Sequence, residues 1–225
     1  FVEGNYYLTG QQEEIKNKII NGIDNREHKI WGIQGSAGTG KTLLLYDIAR
    51  TLGQMMRVCV IHSGILSQGH IELNSILREV DIIPVKECNE NLIRQYDCIL
   101  IDESQRLYQV DFDCIVKAFQ DLNIHCIFGY DYYQVLSYAE ENRNIPEQLN
   151  RLSFFCENKL SEKIRTNKEV ASFIKNVINL AHRPKRYMDY SNIEVLYAFD
   201  YTVAKNIIEH YVTNKEYKFI SYTPS

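Results

Sequence analysis

The segment GSAGTGKT at residues 35–42 constrains the fold of this chain more than any other feature of its sequence. It fits the pattern G-x-x-x-x-G-K-[ST], follows an apolar run typical of a strand, and opens a stretch with helical periodicity. Glycines allow the backbone of such a loop to curl so that its N–H groups point inward at phosphates. The alternative is a Gly-rich turn that binds nothing, and the strand–loop–helix context counts against it. The segment predicts a nucleotide-binding loop.

Two side chains at the end of this loop have chemistry suited to ATP and Mg²⁺. Lys41 can reach the β- and γ-phosphates, and the hydroxyl of Thr42 can ligate Mg²⁺. The N-terminus of the following helix favours negative charge at the same place. The predicted nucleotide-binding residues of the loop are Gly35, Ser36, Ala37, Gly38, Thr39, Gly40, Lys41 and Thr42.

Short apolar runs alternate with helical stretches, which implies stacked βαβ units and a largely parallel sheet. Candidate strands are 29–34, 57–61, 97–101, 124–128 and 153–156. Candidate helices are 11–20, 41–53, 70–80, 111–122 and 168–181. The predicted fold class is α/β, a P-loop NTPase built as a three-layer αβα sandwich around a mainly parallel sheet.

The composition changes at residues 182–192, where a proline and a basic cluster interrupt the helical pattern. Beyond them, a strand at 193–198, a helix at 201–213 and a strand at 217–222 form a unit too small to bury its own core. We therefore expect the chain to stop inside a second domain. The expected organisation is an N-terminal segment with a helix at 1–28, a first domain at 29–181, a linker at 182–192 and the start of a second domain at 193–225.

The formal charge of −4 gives no overall basic field, so nucleic-acid binding must rest on a local groove. The apolar runs are far shorter than a membrane span, and no signal-peptide pattern occurs. The six cysteines include no Cys-x-x-Cys pair, which favours buried reduced thiols over metal or disulfide roles. We predict a cytoplasmic protein that does not associate with membranes.

The segment ILIDESQRL at residues 99–107 places two adjacent carboxylates after a buried-type strand. Asp102 ends that strand, as the Mg²⁺-supporting aspartate of a P-loop NTPase does. Glu103 is then placed to orient or deprotonate the water that attacks the γ-phosphate, which favours hydrolysis over transfer to a substrate hydroxyl. The alternative role for Asp102 is a helix cap. Gln105 and Arg106 either connect this segment to a later motif or cap the next helix.

Five segments, in order, resemble those of the superfamily 1 helicases, and more closely the Schlafen-group DNA/RNA helicase domain of prokaryotes. LTGQQ at 8–12 is similar to the Q motif, and YDYYQVLS at 130–137 is similar to the third motif. LSEKIRTNKEVASFI at 160–174 is similar to the fourth motif. The phosphate loop and DESQR are the other two. The third motif departs from the family because Tyr130 stands where a glycine is frequent.

The resemblance implies roles for residues outside the loop. Gln12 would read the adenine, and Arg165 would approach the γ-phosphate and stabilise the charge that develops there. Asp131 and Gln134 would follow the fourth predicted strand, beside the nucleotide, where the neutral amide of Gln134 can sense the γ-phosphate. The implied catalytic residues are Lys41, Asp102, Glu103, Gln134 and Arg165, with Thr42 and Asp102 as metal ligands.

Single-stranded DNA or RNA is expected as a partner mainly because of the resemblance. Residues 161–190 carry seven basic and three acidic side chains, and nearby tyrosines could stack on bases. The alternative is a solvated face or an interdomain hinge. The resemblance also implies a segment that contacts single-stranded nucleic acid after the predicted β-strand at 57–61. That segment, HSGILSQGH, departs from the family's Thr-containing pattern, and Ser63 and Gly64 are the residues that would contact the nucleic-acid backbone.

These features together predict the first RecA-like domain, and the opening of the second, of a nucleic-acid-dependent ATPase of helicase type. The remainder of the second domain and fused domains would be its intramolecular partners, and residues 1–225 alone would bind ATP but hydrolyse it poorly. An ATP-driven switch in antiphage defence, without strand translocation, is the second hypothesis. A P-loop kinase or nucleotide-modifying transferase is the third.

Overall fold

The computed structural model describes residues 6–27, 29–122, 124–134, 137–161, 172, 193 and 195–212. The chain divides into two compact units, Phe1–Arg165 and Thr166–Ser225. The proposed boundaries at 181, 182 and 192 lie outside the described residues, as do the predicted strand at 217–222 and nearly all of the predicted helix at 168–181. None of the described helices is long and apolar enough to cross a membrane.

Six strands form one sheet in the first unit. They are β1 (Ile30–Gly35), β2 (Val58–His62), β3 (Val80–Pro84), β4 (Cys98–Asp102), β5 (His125–Tyr130) and β6 (Phe155–Leu160). The spatial order is β3-β2-β4-β5-β1-β6, and every neighbouring pair is parallel. The predicted α/β class with a parallel sheet is therefore confirmed, with six strands in place of five.

Helices connect these strands and cover the sheet. They are α1 (Gly10–Asp24), α2 (Lys41–Gly53), α3 (Gln68–Ile76), α4 (Glu90–Ile93), α5 (Gln109–Leu122), α6 (Tyr138–Arg143) and α7 (Ile145–Asn150), with α8 (Tyr201–Val212) in the second unit. Alternate residues of the strands face opposite apolar clusters, because side chains point to opposite sides at every step along a strand. Ile33 and Leu100 pack with α1 and α2, whereas Ile99 and Phe128 pack with α5. The result is the predicted three-layer sandwich.

The predicted helix at 70–80 was wrong at its end, because it ran through the first residue of β3. The helix α3 ends at Ile76, and Val80 begins an edge strand in which Val80 and Ile82 are buried while Asp81 is exposed. Edge strands tolerate a proline, and here Pro84 closes the strand. The N–H of Ile82 donates to Asn74 Oδ1 at 2.7 Å.

Two other strand predictions also need correction. The last strand of the sheet runs over Phe155–Leu160 and not 153–156, because its polar residues Glu157 and Asn158 find hydrogen-bond partners on other strands. Asn158 is buried there and donates from Nδ2 to the carbonyl of Gly32 at 3.2 Å. In the second unit, the described residues 193 and 195–198 of the predicted strand at 193–198 are not in a strand, whereas the segment predicted to pair with them lies outside the described residues.

Tyr130, which stands where the family frequently has glycine, is the last residue of β5, and its side chain is buried on the side of the edge strand β6. Its ring is fully buried, and its hydroxyl donates to Glu157 Oε1 at 2.7 Å. The ring of Tyr132 packs against it edge-on. The Tyr130 side chain therefore packs toward β6 and does not line the cavity at the phosphate loop. All six cysteines are free thiols, and Cys59, Cys98 and Cys126 are buried while the other three are half-buried.

Candidate nucleotide-binding site

The predicted phosphate loop connects β1 to α2, with Gly35 as the last residue of the strand and Lys41 as the first of the helix. Gly38 and Gly40 have φ angles of 83° and 79°, which lie in the left-handed region that favours glycine. A Cβ on Gly35 would lie only 2.5 Å from Thr39 Oγ1. The glycines of the motif are thus required by the backbone path of the loop.

Internal hydrogen bonds hold the loop in its curled form. Thr39 donates from its hydroxyl and its N–H to the carbonyl of Ser36, at 2.8 Å and 3.2 Å. Lys41 Nζ lies 3.4 Å from the same carbonyl and 4.0 Å from Asp131 Oδ2. Because Lys41 is buried, its ammonium group lies inside the site, where it can meet phosphate oxygens.

Asp102 and Thr42 meet at the carboxyl end of β4. Thr42 Oγ1 donates to Asp102 Oδ2 at 3.1 Å, and the carboxylate is almost completely buried. Burial, together with the nearby charge of Glu103, raises the pKa of Asp102 to about 6, and the bond from Thr42 limits the rise. A carboxylate and a hydroxyl side by side are the oxygen ligands that Mg²⁺ prefers, so these residues fit the ion.

Glu103 adopts a left-handed backbone conformation, with φ 55° and ψ 39°, where non-glycine residues are uncommon. Its N–H donates to Asp102 Oδ1 at 3.1 Å. Its Oε2 accepts a bond from Gln105 Nε2 at 2.6 Å and lies 3.7 Å from the guanidinium of Arg106. This turn separates the two acids, with Asp102 against Thr42 and Glu103 at the wall of a cavity.

Three of the five predicted catalytic residues, Lys41, Glu103 and Gln134, line one cavity of about 170 Å³. Its walls are Ala37, Gly38, Gly40, Lys41, Thr42, Glu103 and Gln134. Gln134 reaches it from the turn after β5, where Asp131 Oδ1 accepts the N–H of Tyr133 at 2.9 Å. Arg165 lies outside the described residues, so its predicted approach to the γ-phosphate stays a prediction.

Gln12 contacts the phosphate loop from the first turn of α1. Its Oε1 accepts the N–H of Thr9 at 2.9 Å, and its Nε2 donates to the carbonyl of Thr39 at 3.1 Å. The preceding Gln11 donates to the carbonyl of Lys159 at 3.0 Å and accepts the N–H of Ser161 at 3.0 Å. The structure places Gln12 beside the loop, and its contact with adenine stays a prediction.

Ser63 is tied to the end of β4. Its hydroxyl and its N–H both donate to the carbonyl of Asp102, at 2.9 Å and 3.3 Å. These bonds use both donors of Ser63 within the fold and connect the loop after β2 to the acidic pair. The predicted contacts of Ser63 and Gly64 with a nucleic-acid strand stay predictions.

Sequence reasoning gave no role to His62, which pairs in register with Asp102 between β2 and β4. His62 Nδ1 lies 4.0 Å from Asp102 Oδ2, and its ring packs 4.4 Å from that of His70. Burial lowers the pKa of His62, and the adjacent His70 lowers it further. The signal for this contact was the position of His62 at the end of an apolar strand.

A larger cleft, of about 710 Å³, lies at the amino ends of β2, β3 and β4, whereas the phosphate loop lies at the carboxyl end of β1. Its size alone would favour it as a ligand site. However, Arg57 and Asp97 in its wall pair with each other at 3.1 Å, and ligands of parallel α/β sheets bind at the carboxyl ends of strands. The smaller cavity at the phosphate loop is therefore the candidate site.

Comparison with known proteins identifies the family and the fold of this chain. Residues 28–218 match the family model described as Schlafen group 3, DNA/RNA helicase domain. No curated protein matches the chain. Similar solved structures include two Pif1 helicases on forked dsDNA, Bacteroides Pif1 bound to ssDNA and Candida albicans Pif1.

These structural similarities show the fold alone. The forked-DNA Pif1 is 18% identical over 78% of this chain and 49% of its own, with a TM-score of 0.51. Bacteroides Pif1 is 17% identical over 78% and 47%, with a TM-score of 0.51. Candida albicans Pif1 is 20% identical over 93% and 55%, with a TM-score of 0.50. The chain spans about half the length of these proteins.

The family match covers most of the 225 residues, and the sheet, the loop and the acidic pair are those of a P-loop NTPase. The resemblance inferred from the five sequence motifs is thereby confirmed. The chain belongs to the Schlafen group 3 DNA/RNA helicase domain family and has the α/β fold of a helicase-type P-loop NTPase.

Proposed function

We propose that this chain is the ATP-binding and ATP-hydrolysing core of a nucleic-acid-dependent ATPase. One observation carries the proposal: the Thr42 hydroxyl lies 3.1 Å from Asp102, and Glu103 and Gln134 share a small cavity with the phosphate loop. A metal-binding pair, a base and a neutral amide around one phosphate-sized space are the parts that hydrolysis requires.

The loop would bind the phosphates of ATP through its N–H groups, with the Lys41 ammonium against the β- and γ-phosphates. Thr42 and Asp102 would hold Mg²⁺, which when bound neutralises charge on the phosphate oxygens. The Thr42 hydroxyl supports the ionised form of Asp102 that this role requires. Gln12 would contact the adenine.

Hydrolysis would then depend on Glu103. The oxygen of a water molecule attacks the γ-phosphorus while Glu103 accepts the proton, and the bond from the γ-phosphorus to the bridging oxygen breaks, releasing ADP and phosphate. Gln134 would sense the γ-phosphate, and Arg165 would stabilise the charge of the transition state. Loss of the phosphate would be coupled to movement against a second RecA-like domain and to stepping along single-stranded DNA or RNA.

The test measures ATP hydrolysis with and without single-stranded DNA and RNA, in residues 1–225 and in a longer form in which a complete second RecA-like domain is joined to them. We expect slow turnover by residues 1–225 and stimulation by nucleic acid in the longer form. Glu103→Gln should bind ATP and hydrolyse it about 10²- to 10⁴-fold more slowly, whereas Lys41→Ala should weaken ATP binding. Hydrolysis that no nucleic acid stimulates would contradict the helicase-type function and favour an ATP-driven switch.

A further inference from the structure

Gln105 joins Glu103, in the wall of the nucleotide cavity, to the start of the segment that carries Gln134. It lies on the short 3₁₀ helix Ser104–Arg106 after β4 and is almost completely buried. Its Nε2 donates to Glu103 Oε2 at 2.6 Å, and its Oε1 accepts the N–H of Asp131 at 3.2 Å. The amide therefore connects the carboxylate proposed as the base to the backbone of the third motif.

A side chain that connects these two groups needs a hydrogen-bond donor, an acceptor and enough length to reach both, and glutamine has all three. The carboxylate of Glu103 requires a donor, the N–H of Asp131 requires an acceptor, and glutamine offers both on one flexible stem. A glutamate at position 105 would have no donor for Glu103 when ionised, and an arginine would have no acceptor for Asp131. Because Gln105 is buried, both of its bonds replace bonds to water that it lost on folding.

The second contact of Glu103 does not replace this bond. Arg106 lies 3.7 Å from the same Oε2, and its side chain is about a quarter exposed. A pair at that distance near solvent fixes an orientation less well than a 2.6 Å hydrogen bond does. Without Gln105, Arg106 would be the remaining side-chain partner of the carboxylate.

We propose that Gln105 is a positioning residue for hydrolysis. It holds the Glu103 carboxylate in the orientation that accepts the proton of the attacking water, and it fixes that orientation relative to the loop that carries Asp131 and Gln134. Asp131 in turn lies 4.0 Å from Lys41. The inference rests on the proposed function, in which Glu103 is the base.

A double-mutant cycle tests the proposal. ATP affinity and the single-turnover rate of ATP hydrolysis are measured for the unmodified chain, Gln105→Met, Glu103→Gln and the double variant. Methionine keeps the length of the side chain and removes both bonds. We expect Gln105→Met to lower the rate about 10- to 100-fold while ATP affinity changes less than about threefold. In the Glu103→Gln background, the same substitution should lower the rate less than about twofold.

Gln148→Met is the matched control, because it removes an amide that does not line the nucleotide cavity and that also both donates and accepts. Gln148 exchanges two hydrogen bonds with the side chain of Gln109 and donates a third to the carbonyl of Arg143. This control should leave the rate unchanged. If thermal unfolding shows that Gln105→Met does not fold, Gln105→Asn takes its place. The shorter asparagine amide cannot reach both Glu103 and Asp131, so this variant should show the same loss of hydrolysis rate.

Two results would overturn the proposal: a rate for Gln105→Met within about threefold of the unmodified chain, or an equal loss in the Glu103→Gln background. Either would show that Gln105 does not act through Glu103. Failure of the proposed function looks different, because the unmodified chain would then not hydrolyse ATP, or Glu103→Gln would hydrolyse it at the unmodified rate.

Discussion

At the scale of single residues, the charge of Asp102 is unfavourable in the folded chain until a cation neutralises it. Burial raises its pKa to about 6, above the value of about 3.9 expected in the unfolded chain. The folded state therefore binds the proton more tightly, and this contribution to stability is complete below about pH 3.9 and lost as the pH rises through about 6.

We therefore predict that Asp102→Asn stabilises the metal-free chain at pH 7.5, by about 2 kcal/mol, while it weakens Mg²⁺-dependent ATP hydrolysis. The gain should shrink at pH 5, where the native carboxyl is largely protonated. Denaturant unfolding at both pH values measures the effect. Asp97→Asn is the control, because Asp97 lies in an exposed pair with Arg57. A destabilised Asp102→Asn would contradict the account.

Gly35 provides a second prediction at this scale. A Cβ at this position would lie 2.5 Å from Thr39 Oγ1 and 3.1 Å from the Cβ of Leu160, so the loop must shift to admit it. Gly35→Ala should weaken ATP binding at least about tenfold and lower the free energy of unfolding by about 1–3 kcal/mol. Titration with a fluorescent ATP analogue measures the affinity.

The matched control for Gly35 is Gly10→Ala, because nothing lies within 4 Å of a Cβ built on Gly10 at the start of α1. That substitution should leave ATP binding unchanged and stabilise the chain slightly. Equal effects of the two substitutions would show that the crowding at Gly35 does not matter for the nucleotide.

At the scale of elements, helix α1 begins with a capping box that also braces the phosphate loop. Gln12→Ala removes both its bond to the Thr9 N–H and its bond to the Thr39 carbonyl, whereas Thr9→Ala removes the side-chain cap alone. Thr9→Ala should cost about 1 kcal/mol of stability without changing nucleotide preference. Gln12→Ala should lower affinity for ATP more than for GTP, if Gln12 reads the adenine as the family resemblance implies.

Competition of ATP and GTP for the loop in each variant measures that preference. An equal loss of affinity for both nucleotides in Gln12→Ala would show that Gln12 only braces the loop. That result would leave the assignment of the phosphate loop intact, because the loop residues themselves do not distinguish the bases.

Most elements of the first unit could be predicted from the sequence, because buried parallel strands are continuous apolar runs between helical patterns. The run at residues 97–101 is an example, since all of Cys98–Asp102 is buried. The edge strands were harder. Asp81 interrupts β3, and β6 contains Glu157, Asn158 and Lys159, whose polarity is compensated by contacts that a sequence does not display.

The candidate site was predicted to a similar extent. The loop, Asp102, Glu103 and Gln134 could be identified because each follows a recognisable strand or fits a motif. For Gln105 the sequence left two alternatives, a connection to a later motif or a helix cap, and its bonds to Glu103 and Asp131 decide for the first. The contact of His62 with Asp102 could not be predicted, because it follows from the pairing of β2 with β4.

At the scale of the whole molecule, the nucleotide site and the single tryptophan belong to the same unit. Trp31 lies buried in β1, four residues before the phosphate loop begins, so its fluorescence reports the unfolding of the first unit. ATP with Mg²⁺, at about one hundred times its dissociation constant, should stabilise this unit by about 2.7 kcal/mol. Thermal unfolding followed by Trp31 fluorescence measures the shift.

Lys41→Ala is the control for that measurement and should remove most of the shift. A shift that Lys41→Ala leaves unchanged would indicate that ATP binds elsewhere. Circular dichroism of the same samples also reports α8 in the second unit, so a transition that ATP does not move would belong there.

The two adjacent glutamines of α1 predict that ATP binding changes the rate of amide hydrogen exchange at the end of β6. Gln12 bonds to the phosphate loop, and Gln11 bonds to the N–H of Ser161, just beyond the end of β6. The first turn of α1 thus connects the phosphate loop to the end of β6 through hydrogen bonds. The amide of Ser161 should exchange its hydrogen more slowly when ATP is bound, although it lies outside the nucleotide cavity, and Gln11→Ala should abolish that response.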